Sequence, residues 1–191
     1  MLSKGDAPPP LVLPIHHFPL AYNGDLSDCI NEAYIQPNSG FTWDSTHDMY
    51  RMTVSTRNAS AYIKGVDLGQ TIGRPVENLT ICMTLKIFAA SSGYFGLFAL
   101  SFYGIIYTTA APLNTLVKVV YRYNGGGIND MFVNGVKVQT FDLSTNPTVQ
   151  AIDNTQITLG WTDYSAGSGN ALISNVQIHD RPLTQQEIEN Y

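Results

Sequence analysis

Charge is scarce in this sequence, and so is cysteine. Only 13% of the 191 residues are charged, and the 10 basic residues are outnumbered by 15 acidic ones, for a formal net charge of −5. There is no block of lysine and arginine, so the electrostatic footprint that nucleic acid or an anionic lipid surface would require is missing. Nucleic acid and membranes are therefore not expected partners. Two cysteines, Cys29 and Cys82, are too few for a disulfide framework and have no metal-ligand spacing; they read as reduced thiols. No apolar run has the length and uniformity of a bilayer span. The nearest, YFGLFALSFYGIIY, is broken by two glycines and by tyrosines, which argues for buried strands. The opening MLSKGDAPPPLVLPIHH has its apolar residues interrupted by prolines, so no signal peptide is expected and synthesis is expected in the cytoplasm.

Glycine, serine, threonine, asparagine and tyrosine are plentiful instead, a mixture that suits strands joined by polar turns. Residues 1–14 read as an extended arm, because Pro8, Pro9 and Pro10 favour polyproline II and forbid a helix. Residues 15–191 read as one domain of sandwich size. In ENLTICMTLKIFAA, Leu79, Ile81, Met83, Leu85 and Ile87 alternate with Thr80, Cys82, Thr84 and Lys86, the pattern of a strand with one buried face. Cys82 is thereby placed on the polar face. The YFGLF…GIIY stretch is apolar on both faces and divides into two strands near Tyr103-Gly104. Asn134-Gly135, between MFV and VKV, is a type I′ hairpin turn. Trp161 continues the Ile157, Leu159 alternation. In ALISNVQIHD, Leu172, Val176 and Ile178 are expected to face inward. His16 and His17, adjacent on a strand, face opposite ways and are expected at the surface. His47, between Asp44 and Asp48, reads as part of a polar loop.

The chain closes on HDRPLTQQEIENY. Thr184 and Glu187 form a capping box, and Leu183 with Ile188 the matching hydrophobic staple, so a short helix begins at Gln185. A helix this short is not stable alone in water and has to be tacked onto the sandwich.

This ending resembles the closing signature of the laminin-G-like, concanavalin-A-like domains, of the form G-x-I-x-x-V-x-I-Y-x-R-x-L-S-x-x-E-I. Ile173, Val176, Ile178, Arg181, Leu183, Thr184, Glu187 and Ile188 match it; His179 stands in place of tyrosine and Ala171 in place of glycine. HHFPLAYNGDLSD, LVKVVYRYNGGGINDMFVNGVKV and ITLGW match further motifs in the same order, from about residue 15 to the end. The resemblance implies an all-β fold: a two-sheet antiparallel jelly-roll sandwich with a short C-terminal helical turn. Physical patterning agrees, with many short strands and regular turn signals.

Relatives that are glucanases carry paired carboxylates, in retaining enzymes as Glu-x-Asp-x-Glu. No such triplet occurs here, so a glycoside hydrolase is the weakest of three readings and no enzyme is expected. Laminin-G-like domains often hold calcium through loop oxygens, which makes Asp25 and Asp28 the candidate ligands, with Asp163 and Asp180 of the same chemistry. Glycan binding needs an exposed aromatic platform beside amides or carboxylates; Trp161, Asp163 and Tyr164 have that chemistry. Pro8, Pro9, Pro10, Tyr94, Tyr103 and Tyr107 are the expected assembly contacts. The leading expectation is a non-catalytic, lectin-like module for adhesion or assembly. Its setting is expected to be a virion surface, as a capsid decoration or tail appendage, contacting other virion proteins or copies of itself, and glycans. The alternative is a free carbohydrate-binding lectin.

Overall fold

The computed structural model describes residues 13–21, 24–56, 60–66, 78–99, 103–107, 109–142, 156–162 and 169–191. In chain order the strands are β1 (His16–Phe18), β2 (Tyr34–Pro37), β3 (Phe41–Asp44), β4 (Met49–Thr56), β5 (Ala61–Lys64), β6 (Leu79–Ala90), β7 (Tyr94–Ala99), β8 (Tyr103–Tyr107), β9 (Leu116–Tyr123), β10 (Ile128–Val133), β11 (Val136–Asp142), β12 (Gln156–Leu159), β13 (Trp161–Thr162) and β14 (Gly169–His179). Helix α1 (Gln185–Asn190) follows.

They form a sandwich of two sheets. The nine-stranded sheet runs β11-β10-β9-β6-β14-β4-β13, with β1 on β14 and β3 on β4; the five-stranded sheet runs β2-β5-β12-β7-β8. Every pairing is antiparallel except the two-residue β13–β4 pair. The jelly-roll expectation is met.

Alternation builds the core. Ile81, Met83, Leu85 and Ile87 of β6 face Ile63, Phe95, Ile157 and Leu159 of the other sheet within one apolar cluster. At Asn134-Gly135 both φ angles are positive, 49° and 80°, as the type I′ turn between β10 and β11 demands.

Four local expectations are corrected. First, the opposite face of β6 is not all polar surface. Cys82 is fully buried with Val120, Phe132, Leu183 and Ile188 in a second, separate apolar cluster, because α1 lies over that part of the outer face. Second, Gly160, at φ +63°, interrupts the β12 alternation, and Trp161 crosses to pair with Ser55 of β4 in the other sheet. Third, β14 carries a bulge between Ser174 and Gln177, with Asn175 at φ +50°. Ala171 and Ile173 before it, and Val176 and Ile178 after it, reach the main core, whereas Leu172 takes the other face. Fourth, His16 is buried rather than superficial. The apolar character of both faces of β7 has a similar origin: a bulge between Gly96 and Phe98 brings Phe95, Leu97 and Phe98 all into the one core.

Candidate functional site

The residues singled out in the sequence do not converge on one place. Trp161 opens β13. Asp163 and Tyr164 lie outside the described residues, as do Pro8, Pro9 and Pro10. Tyr94 and Tyr107 are cross-strand partners in the β7–β8 hairpin, and Tyr103 pairs with Ala99, so all three sit at one edge of the five-stranded sheet.

The two calcium candidates have other occupations. Asp28 accepts from His16 Nδ1 at 2.6 Å, the His17 amide at 2.8 Å and the Ile30 amide at 3.0 Å. Burial opposes its ionisation, but the His17 amide, His16 and the Ile30 amide outweigh that and hold its pKa below the ordinary value. Asp25 accepts from the Ser27 amide at 2.8 Å in a local turn, and that bond lowers its pKa. Both carboxylates thus spend oxygens on protein donors. Among the described residues no group of three or more His, Cys, Asp or Glu is arranged to hold a metal ion. As placed, this pair does not fit the six to eight oxygen ligands of calcium.

A different surface has the chemistry that glycan recognition asks for. On β2 and β5, Ile35 and Ile63 point into the core. Period-two alternation then turns Tyr34 and Gln36 of β2, and Tyr62 and Lys64 of β5, to the outer face of the five-stranded sheet. Register sets them side by side: Tyr34 opposite Lys64, and Gln36 opposite Tyr62, which in turn lies opposite Thr158 of β12. Tyr34 is 52% exposed, Gln36 is exposed, and Tyr62, Lys64 and Thr158 are half-buried. Lys64 Nζ stands 5.0 Å from the Tyr62 ring centroid. Three strands spaced about 4.8 Å apart make this a platform roughly 10 Å across. It offers aromatic surface for the apolar face of a sugar ring, with an amide, a hydroxyl, an ammonium and two phenols to meet sugar hydroxyls. None of these five residues is singled out by the sequence alone. The signal was present in YIQP and AYIK, where one apolar residue separates two polar or aromatic ones. What was not visible is that the two segments pair with each other.

A second surface cluster reads as cover for the fold. The pairing of β6 with β14 jumps from Ala89–Asn170 to Ile87–Ala171, leaving Phe88 as the bulged residue. Arg51 lies 5.1 Å and Lys86 5.4 Å from its ring centroid, with the His47 ring 6.1 Å away. Asp44 bonds His47 Nδ1 at 3.1 Å and Arg51 Nη2 at 2.6 Å, and these partners bring its pKa down to about 2. Leu172 lies between Arg51 and Lys86 in the same cross-strand row and is fully buried. The long side chains shield apolar surface here, and the polar-loop reading of His47 is met.

Among curated proteins no sequence matches the chain. Several solved structures match its fold. The crystal structure of the botulinum neurotoxin serotype D binding domain superposes with a TM-score of 0.65 at 12% identity, covering 93% of this chain and 50% of that one. The serotype D ligand binding domain in complex with N-acetylneuraminic acid gives a TM-score of 0.63 at 12% identity, with 93% and 50% covered. The binding domain of botulinum neurotoxin DC in complex with rat synaptotagmin II gives 0.61 at 13% identity, again with 93% and 50% covered. At such identity the likeness is one of fold, and the chain spans about half the length of these structures. In sequence, residues 51–189 match the Laminin_G_3 family profile, described as the concanavalin A-like lectin/glucanases superfamily. That match extends over more than half of the chain, and with the two-sheet fold beneath it the protein belongs to the concanavalin A-like lectin/glucanase superfamily.

Proposed function

We propose that this chain is a non-catalytic, glycan-binding adhesion module whose ligand lies on the outer face of the five-stranded sheet. The observation that carries the reading is the cross-strand set Tyr34–Lys64 and Gln36–Tyr62–Thr158, an aromatic and amide platform set side by side by strand register. The family supports a binding role, and two of the structural neighbours were solved in complex with N-acetylneuraminic acid and with rat synaptotagmin II. The test is a glycan-array screen of the purified chain, with calcium and again with chelator, comparing Tyr34→Ala and Tyr62→Ala with Tyr164→Ala. Binding lost in the first two variants and kept in the third places the ligand on this sheet. Binding lost only with Tyr164→Ala returns the site to the 161–164 segment, and loss on chelation restores a calcium requirement. A folded chain that binds no glycan overturns the reading.

A second reading, assembly, has its own observation. Among the described residues, β11 is the outermost strand of the nine-stranded sheet, and Val136 and Val138 on it are 64% and 39% exposed. An exposed apolar edge is a template for pairing with another chain. The proposed partner is a second copy, or a neighbouring subunit if the setting is the virion surface suggested by the sequence. Light scattering on the purified chain and on Val138→Lys checks this; a monomer at all concentrations sinks self-assembly, and copurification with particles tests the virion setting.

A further inference from the structure

We infer that His179 is the trigger of an acid-sensitive clasp: when its imidazole takes up a proton, residues 180–191 lift from the outer face of the nine-stranded sheet and uncover Cys82, Val120 and Phe132.

The inference starts from a buried group. His179 ends β14, is 3% exposed, and neither Nδ1 nor Nε2 has a hydrogen-bond partner among the described residues. Thr80 of β6 lies opposite it in the ladder. The charged and titratable groups that act on it are Asp180, Arg181 and Glu187 from the corner and helix, and His17 from β1. A neutral imidazole leaves one donor and one acceptor unmade there. An imidazolium would leave two donors and a charge. Glu187 cannot answer readily, since both its oxygens are held by Arg181, and one of them also accepts from the Thr184 amide. Burial first, and then Arg181, bring the His179 pKa down to about 4 against the opposing pull of Glu187 and Asp180.

Opening the clasp is the economical response to protonation. Gln185 Nε2 donates to the Gly135 carbonyl at 2.9 Å, Asn175 Nδ2 to the Tyr191 hydroxyl at 3.1 Å, and the Lys118 ammonium bonds the Tyr191 carbonyl and stands 5.5 Å from the Tyr191 ring centroid. The Thr80 hydroxyl donates to the Arg181 carbonyl at 2.8 Å and accepts from the Leu183 amide at 3.0 Å. Arg122 Nη1 donates to the Leu183 carbonyl at 3.0 Å, and the Tyr191 hydroxyl to the Asn175 carbonyl at 2.7 Å. The apolar cluster beneath it is separate from the main core, so water can enter without breaching the sandwich. Once undocked, a six-residue helix does not persist. The inference is independent of the glycan-binding reading.

Cys82 supplies the readout, since it is buried under the helix. Its labelling by a pyridyl disulfide reagent that keeps its reactivity in acid is followed in a Cys29→Ser chain, normalised to the rate in denaturant at each pH. With a pKa of about 4 closed and 6.5 open, the open fraction rises about 30-fold between pH 8 and pH 5. The expected result is that rise in normalised labelling with the β-sheet circular dichroism unchanged, and a flat profile in His179→Phe. A flat profile in the parent chain, a rise retained in His179→Phe, or a rise that coincides with loss of the sheet signal would each overturn the clasp. If His179→Phe does not fold, amide exchange at Leu183 and Ile188 in the unaltered chain decides: protection must fall between pH 8 and pH 5, after correction for intrinsic rates, while Met83 in the main core stays protected.

Discussion

Arg181 and Glu187 meet fork to fork, with Nη1 2.9 Å from Oε2 and Nη2 2.7 Å from Oε1. The same Glu187 closes the capping box: it accepts from the Thr184 amide at 2.7 Å, and its own amide donates to the Thr184 hydroxyl at 3.3 Å. One carboxylate thus fixes both the corner after β14 and the first turn of α1. Leu183 and Ile188 then bury themselves against Cys82, Val120 and Phe132.

Removing the cap should be felt locally and modestly. Thr184→Ala is expected to lower unfolding free energy by about 1 kcal/mol. Ile188→Ala, which empties part of the second apolar cluster, should cost about 3 kcal/mol. Denaturant titration of the two variants checks the order. An Ile188→Ala cost equal to or below that of Thr184→Ala would mean that the helix contributes little by packing.

Acid should weaken the protein in two separate windows. His179 is neutral in both folded and unfolded states above pH 6.5. Below that the unfolded chain takes up a proton that the folded chain refuses, so stability falls from about pH 6.5 until the folded pKa of about 4 is reached. Glu187 acts lower. Arg181 first, with the Thr184 groups, lowers its pKa from 4.5 to about 2; its contribution is complete above pH 4.5 and is lost as pH falls through about 2. Thermal unfolding across pH 2 to 8 should show both arms. His179→Phe should remove the upper one and Glu187→Gln should shrink the lower, which Asp44, also held at about 2, shares; a profile unchanged by either variant would refute the assignment.

Gly169 is required by contact. It faces Ala90 where β14 meets the bulged end of β6, and a Cβ there would overlap the Ala89 carbonyl oxygen. Gly169→Ala is expected to cost about 2 kcal/mol, as overpacking against an immovable backbone. A variant as stable as the parent would show that the β6 bulge yields easily.

The His16–Asp28 pair should resist dissection. Its side chains are 6% and 0% exposed at 2.6 Å separation. Asp28→Ala strands His16 Nδ1 and the amides of His17 and Ile30, for an expected loss of about 3 kcal/mol. Asp28→Asn keeps an acceptor oxygen and should lose less than half of that. Equal losses, read by chemical denaturation, would argue that charge rather than hydrogen bonding holds the pair.

What the sequence determined alone was local. The alternation in β6, the Asn134-Gly135 turn and the Thr184–Glu187 box are each written within a few residues, and each takes the expected form because its physics is contained in backbone period, φ preference or a three-residue hydrogen-bonded ring. The tertiary structure decided everything that depends on a distant strand. Bulges at Phe88 and at Asn175 shift the phase of β6 and β14, which is why Leu172 leaves the main core while Val176 and Ile178 stay in it. Docking of α1 turns the polar-looking face around Cys82 into a second apolar cluster. Gly160 sends Trp161 to the opposite sheet. Tyr34 and Tyr62, 28 positions apart in the chain, become neighbours through the register of β2 against β5. Periodicity tells which residues share a face of one strand; only pairing, set by contacts remote in sequence, tells which faces join to make a surface.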